Sequence, residues 1–181
     1  MFTDSDQLAS LIRSFAVHGK GLMKYDNVRI GMNGRLDAIQ AAILQVKLAA
    51  FKAYELDCVN KAAAGYAELL AGIADAADIE LLTIPAGHRS SWAQYTLKMA
   101  SAEQRERVQS ALADQNIPTM IYYPKPMHEQ LAFRGPCIVP PEGCPVTGRL
   151  CSTVLSLPME PYLSRCDSEA VALAVARALD R

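Results

Sequence analysis

Hydrophobic positions in the first part of the chain recur at helical spacing. From Asp4 to Val17, the residues Leu8, Leu11, Ile12 and Phe15 share one face, and Thr3 or Asp4 can cap the start. A longer helix is expected from Arg35. Leu36, Ile39, Ile43, Val46 and Ala50 follow a three-four alternation, while Leu44, Leu48 and Phe51 line a second face. Two apolar stripes on one helix imply burial on two sides, against its own domain and against a partner subunit. Tyr54, Val59, Tyr66 and Leu69 carry the period to about Gly72, read as the C-cap, and the pattern allows a break near residues 52 to 56. Between the helices, the loop from His18 to Gly34 contains four glycines and ends in Asn33-Gly34, a pair suited to positive φ.

Beyond Gly72 the period becomes extended. Ile79 to Ile84 and Ala93 to Met99 read as strands, and Ser101 with Gln104 makes a capping box for a helix to about Gln115. Pro118 separates that helix from a β-rich run, Thr119 to Tyr123. Pro124 to Pro145 reads mostly as loop, with a turn of helix around His128 to Ala132. Val154 to Leu157 is a last strand, and Ser168 to Leu179 a terminal amphipathic helix capped by Asp167 or Ser168. Helices flanked by strands in this order imply an α+β sandwich. Met1 and Phe2 read as the tail of a strand.

With 181 residues and 51% hydrophobic composition, the chain can bury one substantial core, as one domain or a domain with a small subdomain. The 18 Lys and Arg against 19 Asp and Glu leave no bulk charge to favour nucleic acid or an anionic membrane, so any anion site must be local. The five cysteines lack C-x-x-C or zinc spacing and read as reduced, mostly buried thiols, with no metal site expected. There is neither a basic leader with a following apolar run nor a membrane-length span of ~18 apolar residues, which reads as a cytoplasmic protein.

Candidate chemistry concentrates in two places. Asn33, Gly34 and Arg35 sit where the loop meets the expected helix, and unpaired N–H groups, a helix dipole, an amide and a guanidinium there suit a phosphate or carboxylate. His18 enters the same loop, and Lys20, Lys24 and Arg29 add charge to it or remain mobile surface groups. The second place is the run from Ile121 to Gln130, with Tyr122, Tyr123 and His128; Pro124 and Pro126 fix the loop and favour at least one tyrosine pointing into a site.

Gly31, Asn33, Arg35, Leu36 and Asp37 match a Gly-x-Asn-x-Arg-Leu/Met-Asp element, and with the Tyr-rich run and the Trp92 and Val154 strand segments the chain resembles the DegT/DnrJ/EryC1/StrS sugar aminotransferases, which use pyridoxal phosphate. The resemblance runs from Phe2 to about Arg181. It implies an α/β fold-type I enzyme, α+β within this piece, consisting of a long helix and a small antiparallel sheet packed with helices. Residues 1–34 would be the remnant of the large cofactor domain, 35–72 the interdomain helix, and 73–181 the small C-terminal domain. It further implies that Asn33 bonds the cofactor phosphate of the neighbouring subunit and that His18, Arg35, Tyr122, Tyr123 and His128 contact substrate. Trp92 and Tyr95 would be core or cleft wall. Substrate would be a keto-sugar nucleotide aminated from glutamate in a homodimer, and the loop most resembles the subgroup acting at C3 of UDP-linked 3-keto uronic acids in surface-polysaccharide synthesis.

The family's cofactor lysine lies in a Ser-x-x-x-x-Lys-x-Leu-Gly run, and no such run exists among the 181 residues, whose seven lysines all fall outside the motif. Met1 therefore reads as an internal methionine of a longer protein. No catalytic residue and no bound pyridoxal phosphate are expected of this chain alone. The alternative is a non-catalytic dimerisation or interaction module.

Overall fold

Helix α3 (Leu56–Ala77) spaces Val59, Ala63, Tyr66, Leu70 and Ala74 by three and four, and that stripe is buried. It is the spine of one of two units described by a computed structural model, Met1–Ala50 and Phe51–Arg181, within which residues 2–23, 25–133, 135 and 138–180 are described.

In the second unit, β1 (Glu80–Leu81), β2 (Tyr95–Lys98) and β3 (Val154–Leu157) form an antiparallel sheet in that order, with Tyr95 opposite Leu157 and Leu97 opposite Leu155. β2 alternates, so Tyr95 and Leu97 face inward. Helix α4 (Ala102–Ala113) contributes Val108 and Leu112, and α6 (Arg165–Leu179) contributes Val171, Ala172, Ala174, Val175 and Ala178. Helix α5 (Pro145–Thr153) opens on a proline at its first position and leads directly into β3.

A polar and aromatic column ties these layers together. The Asn60 side chain donates to the Leu56 and Ser90 carbonyls and accepts from the Trp92 indole at 3.2 Å. Trp92 stacks on Tyr95 with centroids 5.4 Å apart, Tyr95 lies 4.9 Å from Tyr66, and the Tyr66 hydroxyl donates to the Pro158 carbonyl at 3.0 Å. Every polar end in the column is bonded except one: among the described residues the buried Tyr95 hydroxyl has no partner.

Residues 1–50 are built differently. Helix α1 (Asp6–Phe15) and helix α2 (Ala38–Ala50) contain no buried residue. Both predicted stripes of α2 stand in solvent, with Ile39 75% and Val46 73% exposed.

Several element boundaries differ from the sequence reading for identifiable reasons. Ser5, rather than Thr3 or Asp4, caps α1 through a bond from Leu8 N, and Phe2 lies in no strand; Met1 is outside the described residues. Helix α2 starts at Ala38, three residues after Arg35, because the Asp37 carboxylate accepts from Ile39 N and serves as its cap. The allowed break is a π-helical segment, Phe51–Glu55. There the buried Glu55 accepts a 2.6 Å bond from the Tyr162 hydroxyl, which also lies 3.2 Å from the Tyr54 hydroxyl. Helix α3 passes Gly72 and ends at Ala77, where Asp78 takes the left-handed conformation expected of a cap glycine.

The strand expected over Thr119 to Tyr123 is an isolated bridge between Met120 and Ser156, since two prolines follow at once and cut off the ladder. The helical turn after Pro126 is two 3-10 turns, Met127–Glu129 and Leu131–Phe133. Ser164 caps α6, which begins at Arg165. Among the described cysteines Cys58, Cys144 and Cys151 are half-buried and Cys166 is exposed, so they are free thiols without being core residues; Cys137 is outside the described residues. Among the described residues, no helix is long and apolar enough to cross a membrane, and no group of three or more His, Cys, Asp or Glu could hold a metal.

The column generates a paired prediction. Tyr66→Phe removes a satisfied hydroxyl and should cost about 1 kcal/mol in urea unfolding, whereas Tyr95→Phe removes an unsatisfied one and should be neutral or stabilising. Burial raises both phenols above their ordinary 10.0. Their contribution to stability is therefore full below that value and is lost as the pH rises past it, because the unfolded phenols ionise first. The alkaline loss should be shallower in Tyr66→Phe.

Candidate functional site

The loop that carries the first group of predicted site residues folds back on the end of α1. Ser14 O accepts from Val17 N, Gly19 N and Lys20 N; Phe15 O accepts from Met32 N at 2.9 Å, and Ala16 O from Gly34 N at 2.9 Å. The last carbonyls of the helix are thus satisfied by the loop rather than by water. His18 N donates to Met32 O at 3.0 Å, and Val17 and Asn33 form a bridge.

This return path is possible only with glycine. Gly19 has φ 74°, and a Cβ there would lie 1.7 Å from Arg29 O; a Cβ on Gly31 would lie 2.2 Å from Gly19 N. Arg29 is a strut, since its Nη1 donates to Ser14 Oγ at 2.5 Å, Ser14 Oγ donates to Lys20 O at 2.6 Å, and the guanidinium lies 6.0 Å from the Phe15 ring centroid. Lys24 is outside the described residues.

The same fold brings Asn33 and Arg35 together. Arg35 Nε donates to Asn33 Oδ1 at 2.9 Å, and both residues are exposed. A guanidinium has only donors, so the atom facing it must be the amide oxygen, and Asn33 Nδ2 is left to donate outward beside the remaining Arg35 N–H groups. This cluster of donors suits an anion. The helix end does not take part as the sequence suggested: α2 begins at Ala38, and the Asp37 carboxylate already holds Ile39 N. An anion at this place would meet two side chains rather than a helix end. His18 is exposed with φ 56°, and its ring makes no hydrogen bond to another described residue.

The second group lies in the Phe51–Arg181 unit. Tyr122 and Tyr123, joined by a cis peptide, hold their rings edge to face with centroids 5.6 Å apart. Both are exposed, whereas Pro126 behind them is buried and anchors the loop. His128 Nε2 lies 3.8 Å from Glu129 Oε1. Tyr122 also lines a pocket of about 220 Å³ with Gln94, Thr119, Met120 and Met159. Gln94 lies within the Trp92 strand segment and Thr119 opens the run to Tyr123, but neither was given a role there because neither side chain is charged or aromatic. Gly31 and Asp37 were found only as motif letters; their roles here are backbone clearance and helix capping.

Comparison with known proteins identifies the family. The family model described as "DegT/DnrJ/EryC1/StrS aminotransferase family" matches residues 1–176. The UDP-2-acetamido-2-deoxy-3-oxo-D-glucuronate aminotransferase of Pseudomonas aeruginosa is 35% identical over 97% of this chain and 45% of its own length. The crystal structure of a DegT/DnrJ/EryC1/StrS aminotransferase from Brucella abortus superposes with a TM-score of 0.80 and 40% identity, over 99% of this chain and 46% of that one. A sugar aminotransferase from Streptococcus pneumoniae in its PLP form, at 19% identity, shows the same fold, with a TM-score of 0.76 over 98% of this chain and 45% of that one. The chain thus spans less than half the length of these relatives and corresponds to their C-terminal portion. Matched by the family model over residues 1–176 and superposed on the Brucella abortus enzyme over 99% of its length, the chain belongs to the DegT/DnrJ/EryC1/StrS aminotransferase family.

Proposed function

We propose that this chain supplies the anion-binding and sugar-binding walls of a nucleotide-sugar aminotransferase that passes an amino group, from glutamate, to a keto-sugar nucleotide, and that a UDP-linked 3-keto uronic acid is the acceptor. The Arg35 bond to Asn33 carries the proposal, because it turns the Asn33 amide into an outward donor at a place held by backbone on both sides. The donor set fits a phosphate, and Asn33 Nδ2 would hold the phosphate of pyridoxal phosphate seated in the neighbouring subunit. That cofactor, when bound, supplies the electron sink and carries the amino group between donor and acceptor.

The remaining roles belong to this chain's own side chains. Arg35 keeps two guanidinium nitrogens for a substrate carboxylate or diphosphate, and His18 stands at the entrance of the same loop. Tyr122 and Tyr123 offer ring faces and hydroxyls to a pyranose, and His128 contributes a ring nitrogen to its hydroxyls. A homodimer is supported by α2, whose two apolar stripes are exposed in a single chain, and pairing two such helices would cover them. That observation alone is equally consistent with a non-catalytic dimerisation module. Asn33 and Arg35 favour the enzyme, since a module that only pairs has no use for outward-facing anion donors.

Two outcomes are expected. In the full-length aminotransferase, Arg35→Ala should weaken sugar-nucleotide binding by about 2 to 5 kcal/mol once substrate buries the guanidinium, measured by calorimetry. Arg35→Lys should recover little, since an ammonium cannot both hold Asn33 Oδ1 and grip an oxyanion in a fork. The 181-residue chain mixed with pyridoxal phosphate and borohydride should show no single lysine labelled stoichiometrically by mass spectrometry; one such lysine would contradict the reading.

A further inference from the structure

Trp92 holds a backbone conformation that its own side chain disfavours. Its φ is 43°, in the left-handed region, where a bulky residue is strained and persists only when its surroundings hold it there. Here they do. Trp92 N donates to Ser90 Oγ at 3.1 Å, and the indole Nε1 donates to Asn60 Oδ1 at 3.2 Å. Asn60 Nδ2 donates in turn to the Ser90 carbonyl at 3.0 Å and to the Leu56 carbonyl at 2.7 Å. The bonds close a ring that runs from α3 through Ser90 to Trp92 and back to α3. Its polarity is fixed by the partners, because an indole only donates and a carbonyl only accepts. A carboxamide at position 60 serves both; a leucine there serves neither.

The strained residue decides which side chains follow it onto the surface. In β2, Tyr95 and Leu97 face inward, and extended backbone carried back through residue 92 would send Ala93 inward and Trp92 outward. The left-handed turn reverses that order. Trp92 is buried and stacked on Tyr95, while Ala93 and Gln94 are both exposed and line the same groove as Tyr122. That groove is open to solvent, so what it offers a ligand is the placement of its wall.

We propose that Asn60 and Trp92 are positioning residues for the sugar: the Asn60 carboxamide keeps Trp92 left-handed, and so keeps Ala93 and Gln94 on the wall beside Tyr122. The proposal rests on the nucleotide-sugar reading above and deepens it. Neither residue touches the ligand; each acts through the backbone of residues 92–94.

Calorimetry on the full-length aminotransferase with UDP-glucuronic acid and with UDP as probes tests this, because the wall would serve the sugar and not the nucleotide. The wild type should bind UDP-glucuronic acid more tightly than UDP. Asn60→Leu should weaken UDP-glucuronic acid about three- to tenfold and leave UDP unchanged. Trp92→Phe keeps a ring on Tyr95 and removes the indole donor, so it should do the same, and the double variant should lose no more than either single one, since all three break one bond. Thermal unfolding of each variant reports its global stability separately. Equal loss for both probes, no loss for either, additive losses in the double variant, or a wild type that gains nothing from the sugar would overturn the positioning role and leave the nucleotide-sugar reading standing. A wild type that binds neither probe would overturn that reading, and the positioning role with it.

Discussion

Backbone lies directly on backbone where the loop of residues 18–34 returns to α1. At Gly31 and Gly19 the approach leaves no room for a side chain, with a hypothetical Cβ at 2.2 Å from Gly19 N in one case and 1.7 Å from Arg29 O in the other. Because φ is positive at Gly19, the conformation itself also disfavours other residues. Once that contact is made, the hydrogen bonds from His18, Met32 and Gly34 fall into place, Asn33 bridges Val17, and Arg35 is delivered within reach of the Asn33 amide. The chemistry proposed for the pair is therefore a consequence of glycine packing within the same loop. It owes nothing to the end of α2, which Asp37 caps for itself.

The Phe51–Arg181 unit solves a different problem, holding an exposed tyrosine pair and an uncharged pocket steady on a small sheet. Its device is the column from Asn60 through Trp92, Tyr95 and Tyr66 to the Pro158 carbonyl. Pro158 lines the pocket, so the bond from the buried Tyr66 hydroxyl holds its carbonyl in place at that wall. The two charge pairs Arg89 to Asp57 and Lys98 to Glu80 lie at the solvent edge and add little by comparison.

Much of this was legible in the sequence, and the parts that were not have physical reasons. Strand β3 and the Ser101 cap were readable because local pattern and tertiary environment agree there. Helix α5 went unread: a glycine and two threonines leave it little propensity, and its Pro145 looks like the end of a loop until it is seen as a first-turn residue. The boundaries at Arg35 and Gly72 were misplaced because helical periodicity says nothing about which side chain wins the first free N–H or which residue adopts the left-handed turn. Among site residues, Asn33, Arg35, Tyr122, Tyr123 and His128 were visible as motif letters, but only the folded loop shows that the Asn33 amide and the Arg35 guanidinium meet. Gln94 belongs to the Trp92 strand segment, but an exposed carboxamide next to a strand is ordinary until a pocket is found in front of it.

The central claim is that Asn33 and Arg35 serve a cofactor and substrate held by the neighbouring subunit, and subunit mixing in the full-length aminotransferase tests it most directly. One parent carries Arg35→Ala, the other lacks the cofactor lysine, and each is assayed at a substrate concentration too low for it to show activity alone. If the site is shared across the boundary, exchange of subunits restores one intact site per mixed dimer and transamination returns to about a quarter of the wild-type level, allowing for random pairing. Proven exchange with no return of activity would show that the pair acts within its own subunit or not at all.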